Sequence, residues 1–340
     1  MKALVYKGPR SIVVEDVDRP GVPAGYALVR IKMSGICGSD VHGYMGGTGR
    51  RDPGVIMGHE ISGVVEEVAG NVKNISPGQR VVVQPAVYCG TCEFCVAGKT
   101  QLCQNKKFLG AFSRNGGFAE YVSVPSHLVF EMPDDMTFAQ GALVEPLAVS
   151  KCGVDKIADY RDKRVLVVGA GTIGLLAVAV LKSRGARQVI AADLSSARLK
   201  AAKEMGADAV FNPGEEDALT AVRRITGKNG VDVSIEAVGA GKPVQMALDC
   251  VGPGGSCVWI GNSQRYIKLD MQSVVTREIS IFGTYIYSQK EFGETVKTLI
   301  DMNIDTTPLI SAVLPIEDAP KIMKQLADGC EKLIKTIIAF

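Results

Sequence analysis

Two groups of metal-binding side chains and one glycine loop carry the chemistry of this chain. The first group reads GICGSDVH and then GHE, and offers Cys37, His42, His59 and Glu60. The second reads CGTCEFCVAGKTQLC, with Cys89, Cys92, Cys95 and Cys103 spaced C-x2-C-x2-C-x7-C. The glycine loop is GAGTIG at residues 169–174. Four thiolates at such spacing hold zinc in a closed tetrahedron, which is structural, whereas a Cys/His/acid set can leave a coordination position open for chemistry. A metal that can be approached, combined with a dinucleotide site, implies zinc-assisted hydride transfer.

In the open group, Cys37 and His59 are the first two expected ligands. The third is acidic: Glu60, Glu145, or both in turn. Glu145 stands in ALVEPLAV, where a lone carboxylate would be costly without a partner. Asp40 is placed to accept a hydrogen bond from His59 and fix its tautomer. Ser39 and His42 are candidates for proton transfer. Of the three histidines, His127 is read as structural. In the closed group, Gly90 and Gly98 permit the sharp turns that wrap a short loop around one ion.

VLVVGAGTIG supplies an apolar strand, a tight turn and a helix start. Gly169 makes the turn, Gly171 admits a pyrophosphate to the backbone, and Gly174 allows helix and strand to pack closely. Thr172 opens the helix, whose N-terminus favours phosphate charge. Asp193 ends the next strand, VIAAD, where an acid suits ribose hydroxyls and repels a 2′-phosphate; NAD is therefore expected over NADP. Arg198 weighs slightly the other way.

The elements that must position these groups follow two textures. Up to about residue 148, LVYKGP, SIVVEDV, YALVRIKMSGI, EISGVVEEVA and QRVVVQPA are short strand-like runs broken by Gly, Pro and Asn, which suggests a barrel-like β domain. After it, strands RVLVVGAG, RQVIAADL, AVFNP and VDVSIEAVG alternate with helical segments, the pattern of a parallel sheet covered on both faces. CVWIGN and ISIFGTYIY continue that sheet. EFGETVKTLIDMNI and DAPKIMKQLADG read as helices, and KLIKTIIAF as a closing strand.

The chain has 340 residues, 46% hydrophobic and 22% charged, with a formal net charge of +2. Those values fit a two-domain globular protein and give no reason to expect nucleic-acid or membrane partners. The apolar run from Val165 to Leu181 is short for a membrane span and contains the glycine loop. Nine cysteines, an odd number, with no secretory leader read at the N-terminus, make a reducing cytoplasm the simpler setting. Cys152, Cys250, Cys257 and Cys330 are expected to be buried small hydrophobes.

With these motifs together, the chain resembles the zinc-dependent medium-chain dehydrogenase/reductase family along essentially its whole length. The Glu145–Pro146 pair is most similar to the polyol branch of sorbitol and galactitol-1-phosphate dehydrogenases. The resemblance implies a GroES-like β-barrel catalytic domain from residues 1–148 and 287–340, with a doubly wound Rossmann domain, 149–286, inserted into it. It also implies cofactor contacts at Ile173, Asp193 and Arg198, at Ile260, Gly261 and Asn262, and at Thr284, Tyr285 and Ile286. Two zinc ions, NAD, a polyol-like substrate and a homo-oligomer (tetramer favoured over dimer) are expected. Two departures stand out. Gly43 occupies a position where sorbitol dehydrogenases tend to carry Tyr, and Ile286 one where they tend to carry a sugar-binding Arg. Arg50 and Arg51, before GHE, are read as a solvated loop, with phosphate binding as the alternative. The competing functions are a threonine-type amino-alcohol dehydrogenase, a hexitol-phosphate dehydrogenase, a zinc-free reductase of the same superfamily, and a non-catalytic zinc and nucleotide-binding protein.

Overall fold

A computed structural model describes every residue except Ser113 and Glu331. Its contacts divide the chain into two compact units. One comprises Met1–Glu145, Tyr287–Asp301 and Ile310–Phe340; the other comprises Pro146–Ile286 and Met302–Leu309.

The first unit is built on a seven-stranded sheet. Its order is Ile310–Pro315, Lys335–Ala339, Tyr26–Ile36, Glu60–Val68, Arg80–Val83 and Val129–Glu131, with Tyr121–Pro125 also paired to Tyr26–Ile36. Tyr26–Ile36 shares one edge between two partners. Its first half pairs with Tyr121–Pro125, and its last residues pair with Lys335–Ala339. Register shifts opposite Glu60–Val68 mark β-bulges, which bend a strand and let it change partners. The alternating inward residues Ala27, Val29 and Ile31 join Ile61, Val65, Val81 and Val83 in one buried core. Where one helix is expected over EFGETVKTLIDMNI, two short ones form, Gln289–Thr295 and Thr298–Asp301. Thr295 Oγ1 donates back to the Glu291 carbonyl at 2.7 Å, a bond that bends helices.

The second unit holds a six-stranded, wholly parallel sheet. Its order is Ala209–Phe211, Gln188–Ala192, Arg164–Val168, Val231–Glu236, Val251–Trp259 and Ser280–Gly283. This is the doubly wound order, in which direction reverses between Arg164–Val168 and Val231–Glu236 and ligands bind beyond the strands' C-terminal ends at that point. Arg164–Val168 is buried from Val165 onward, as a central strand covered on both faces must be. Among the described residues, no helix is long and apolar enough to cross a membrane.

Candidate metal and dinucleotide sites

Cys37 is the N-cap of the helix Gly38–Tyr44, and its sulfur accepts the Ser39 N–H at 3.5 Å. The reciprocal bond runs from the Cys37 N–H to Asp40 Oδ2 at 3.2 Å. This capping box fixes a potential ligand and the carboxylate beside it in one turn. Ser39 and His42 lie three residues apart on that helix, both exposed, so they share a face.

His59 and Glu60 are brought to Cys37 by sheet register. Glu60 lies opposite Gly35 on the neighbouring strand. A Cβ on Gly35 would come within 1.9 Å of Glu60 Oε2, so only glycine leaves room for the carboxylate. The donor atoms of Cys37, His59 and Glu60 lie within 4.8 Å of one another. Zinc holds sulfur, nitrogen and oxygen donors at about 2.0–2.3 Å in a tetrahedron, and this donor set fits it.

Glu60 is fully buried and both of its oxygens accept from Lys335 Nζ, at 2.8 and 2.7 Å. The third ammonium proton goes to the Ile36 carbonyl at 2.9 Å. Glu145, also buried, accepts instead from the neutral phenol of Tyr287, at 2.7 Å to Oε1. Burial pushes the Glu145 carboxyl above the usual carboxylate range, and the negative charge of Glu60 adds to that. A cation in reach of this carboxyl would reverse the shift.

Asp40 lies at the centre of the group and is completely buried. Its Oδ2 is 3.5 Å from His59 Nδ1, and its Oδ1 is 3.2 Å from Arg51 Nη2. Burial by itself would raise its pKa, but His59, Arg51 and the Cys37 N–H together hold it at about 2. Burial opposes a charge on His59, yet Asp40 and Cys37 overcome it and hold the imidazole well above its usual range. Arg51 is therefore neither solvated nor free for a phosphate, as the sequence suggested: it is a buried partner of Asp40. Arg50 does lie exposed.

The four-cysteine loop closes on itself. Its sulfurs lie within 4.8 Å of one another, with Cys89 Sγ 3.5 Å from Cys103 Sγ and 3.9 Å from Cys95 Sγ, and none is in a disulfide. Gly90 and Gly98 take φ of +75° and +74°, the left-handed turns a side chain would resist. Backbone N–H groups of Thr91 and Cys92 lower the Cys89 thiol, while desolvation and neighbouring sulfurs raise Cys95. Such a set wants one cation shared among all four, and it fits zinc. His127 sets its ring edge-on to Tyr88 at 5.4 Å, a packing role. Cys152, Cys250 and Cys257 are buried as expected, whereas Cys330 is only half-buried.

In the second unit, Gly169 takes φ of +91°. A Cβ on Gly174 would meet the Gly169 carbonyl oxygen at 1.8 Å, while the space above Gly171 is open. Gly171 is the N-cap of the helix Thr172–Ser183, and no side chain caps that end, which suits an anion. Asp193 accepts the Ala170 N–H at 2.8 Å and the Ser195 N–H at 2.9 Å, and Arg198 Nη1 lies 3.8 Å from it. The carboxylate thus ties the glycine turn to the next strand. Ile173 meets Ser150 through its carbonyl, at 2.9 Å. Ile260 packs over Gly153, near Thr284. Tyr285 is exposed, and Ile286 takes φ of +44°.

Three residues with structural weight here lack a sequence motif: Lys335, Tyr287 and Glu236. Glu236 ends the strand Val231–Glu236. Its carboxylate accepts N–H bonds from Val238 and Gly239 at 2.8 Å, and its carbonyl accepts from Ile260 and Gly261 at 2.8 and 3.0 Å. It thereby joins the turn at 237–239 to Ile260 and Gly261. An acid closing the apolar strand VDVSIE was the available signal.

Comparison with known proteins agrees with this geometry. Residues 23–134 match the model of the alcohol dehydrogenase GroES-like domain, and residues 172–301 match that of a zinc-binding dehydrogenase. A sorbitol dehydrogenase from Bacillus subtilis is 32% identical over 342 residues, covering 99% of this chain and 97% of its own. D-xylulose reductase A from Aspergillus niger is 33% identical over 346 residues, covering 99% and 96%. Among solved structures, galactitol-1-phosphate dehydrogenase from Escherichia coli superimposes with a TM-score of 0.92 at 29% identity, covering 100% of both chains. A zinc-binding dehydrogenase from Sinorhizobium meliloti 1021, bound to NADP, does so with 0.92 at 31%, covering 100% and 99%.

Proposed function

The chain belongs to the zinc-dependent medium-chain dehydrogenase/reductase family, and from that premise we propose that it oxidises a secondary hydroxyl of a polyol with NAD. The carbinol carbon gives its hydride to the nicotinamide and becomes a ketone, and the hydroxyl proton goes to solvent. The observation that carries this reading is the convergence of Cys37, His59 and Glu60 donor atoms within 4.8 Å. Zinc held there would supply Lewis acidity toward the substrate oxygen.

Cys37 and His59 are the ligands in this reading, with Glu60 or Glu145 as the acidic one. Asp40, facing Nδ1, leaves Nε2 of His59 as the ligating nitrogen. Lys335 donates to both Glu60 oxygens and so competes for that carboxylate, while Glu145 accepts from the neutral phenol of Tyr287. Ser39 and His42, one turn apart on an exposed helix face, pass the proton to solvent. Cys89, Cys92, Cys95 and Cys103 take a second, structural zinc. Gly169, Gly171, Thr172, Ile173, Gly174, Asp193 and Arg198 hold the dinucleotide, together with the turns at 260–262 and 284–286. NAD is favoured because a 2′-phosphate would meet the Asp193 carboxylate, and Arg198 is already drawn to that acid.

A homotetramer or dimer is part of this reading. The open sheet edge at Ser280–Gly283 exposes Ile281, and the neighbouring helix exposes Met271 and Val275, an apolar edge that proteins cover. A sedimentation run giving a monomer would remove that part. A cytoplasmic setting suits a chain with no disulfide among its cysteines.

The test is nicotinamide reduction by zinc-replete protein, with NAD and NADP each offered hexitols, pentitols, hexitol phosphates, threonine and simple alcohols. NAD-linked turnover of a polyol, lost on chelation, is the expected result. Turnover confined to threonine or to simple alcohols would overturn the substrate class. A requirement for phosphate would turn the reading to a hexitol phosphate, as acted on by the galactitol-1-phosphate enzyme that this chain resembles.

A further inference from the structure

Arg50 and Arg51 are adjacent in a glycine-rich loop, and the fold treats them oppositely. Arg50 is exposed, while the side chain of Arg51 is 7% exposed and reaches a fully buried carboxylate. Its path is cut across the helix Gly38–Tyr44 at Gly43, where a Cβ would lie 2.9 Å from Arg51 Cγ and 3.1 Å from Nε. A side chain at residue 43 would therefore force the arginine to shift from this path. The same Gly43 is one of the two departures from the sorbitol dehydrogenase pattern, and Arg51 gives it a physical reason.

Beyond Gly43 the guanidinium meets Asp40 Oδ1, while Asp40 Oδ2 serves Cys37 N–H and faces His59 Nδ1. One carboxylate thus ties two metal-ligand candidates together, and one arginine holds that carboxylate. Arg51 Nε is buried and has no partner among the described residues, so an incoming phosphate could not take the planar fork bidentately without pulling it off Asp40.

We infer that Arg51 is a positioning residue of the metal centre: it locks Asp40 in the orientation that presents His59 and the Cys37 turn, and Gly43 is the slot that admits it. The inference rests on the metal reading of Cys37 and His59 given above. With His59 neutral, as a metal ligand must be, the buried Asp40 carboxylate would be left with an imidazole and an amide, and a guanidinium supplies the missing charge in fixed geometry.

The test is Co²⁺ titration of metal-stripped protein, read by visible absorption and by chelator competition. Wild-type protein is expected to bind two equivalents. Arg51→Met and Gly43→Ala should each weaken one equivalent by about tenfold, as loss of a ligand's hydrogen-bonding support does, and shift its absorption bands. Arg51→Lys should recover part of this, and Arg50→Ala should match wild type. Gly43→Ala keeps the arginine and favours the helix, so it decides the matter if Arg51→Met does not fold. Wild-type protein binding one equivalent would sink the metal reading itself. Two equivalents in wild type, with unchanged affinity and bands in both variants, would sink this inference alone. Unchanged metal binding with turnover lost only for hexitol phosphates would make Arg51 a phosphate contact and overturn it equally.

Discussion

The two cysteine-containing clusters are made in opposite ways. The four-cysteine loop collects its donors from one stretch between Cys89 and Cys103, with glycine turns and backbone N–H bonds doing the shaping. The Cys37 centre collects Cys37 from a helix cap, His59 and Glu60 from a strand start, and Lys335 from a strand near the end of the chain. The first is a local structure that a metal can fold. The second is a property of sheet register, and it fails when that register or its buried charges are disturbed.

The largest effect should come from His59→Ala. On the proposed zinc reading, turnover should fall by more than about a thousandfold, since the substrate's hydroxyl would lose its Lewis acid, and metal analysis should still find one ion, at the four-cysteine loop. Loss of both ions together would show that the clusters are not independent. Lys335→Met comes next. It leaves the Glu60 carboxylate buried beside Met instead of its ammonium partner, at a cost of about 3–5 kcal/mol. Denaturant unfolding should show it, and a midpoint equal to wild type would contradict the pairing.

Acid should act on the Cys37 centre more gently. Asp40 is held at about 2, below an ordinary carboxyl near ~3.9. A depressed folded-state pKa adds stability above the unfolded value, and that stability is lost as pH falls from about 4 through 2. Metal-free protein should therefore lose stability across that window, and Asp40→Asn should flatten the dependence. An unchanged slope in Asp40→Asn would assign the acid sensitivity to other groups. His42→Ala is the mildest change: in the proposed proton path its loss should slow turnover by at most about 10²-fold, the low end for a proton-transferring group, and shift the pH profile, with metal content equal to wild type. An unaltered rate and profile would remove His42 from the proton path.

Much of this was legible in the residues. The four cysteines announce themselves by spacing, since a short loop that must wrap one ion has few solutions. The glycine loop is equally plain: Gly169 needs positive φ and Gly174 has no room for a Cβ, so residue type and position are bound together. The parallel sheet follows from apolar strands alternating with helices. Less legible was the break between Gln289–Thr295 and Thr298–Asp301, where threonine side chains bonding back to the backbone cut an otherwise helical pattern.

The sequence by itself determined which residues could serve chemistry and which strands and helices would carry them, because those depend on donor type, spacing and periodicity over a few residues. Only the tertiary structure decided how the charges are paired. Arg51 lies beside Arg50 in the chain, but Gly43 lets it run inward to Asp40. Lys335 meets Glu60 because two strands flank Tyr26–Ile36 in register, and Tyr287 meets Glu145 across 142 positions of sequence. A buried charge takes whatever partner the fold delivers within about 3 Å, and that distance is set by packing between remote segments, which spacing along the chain does not encode.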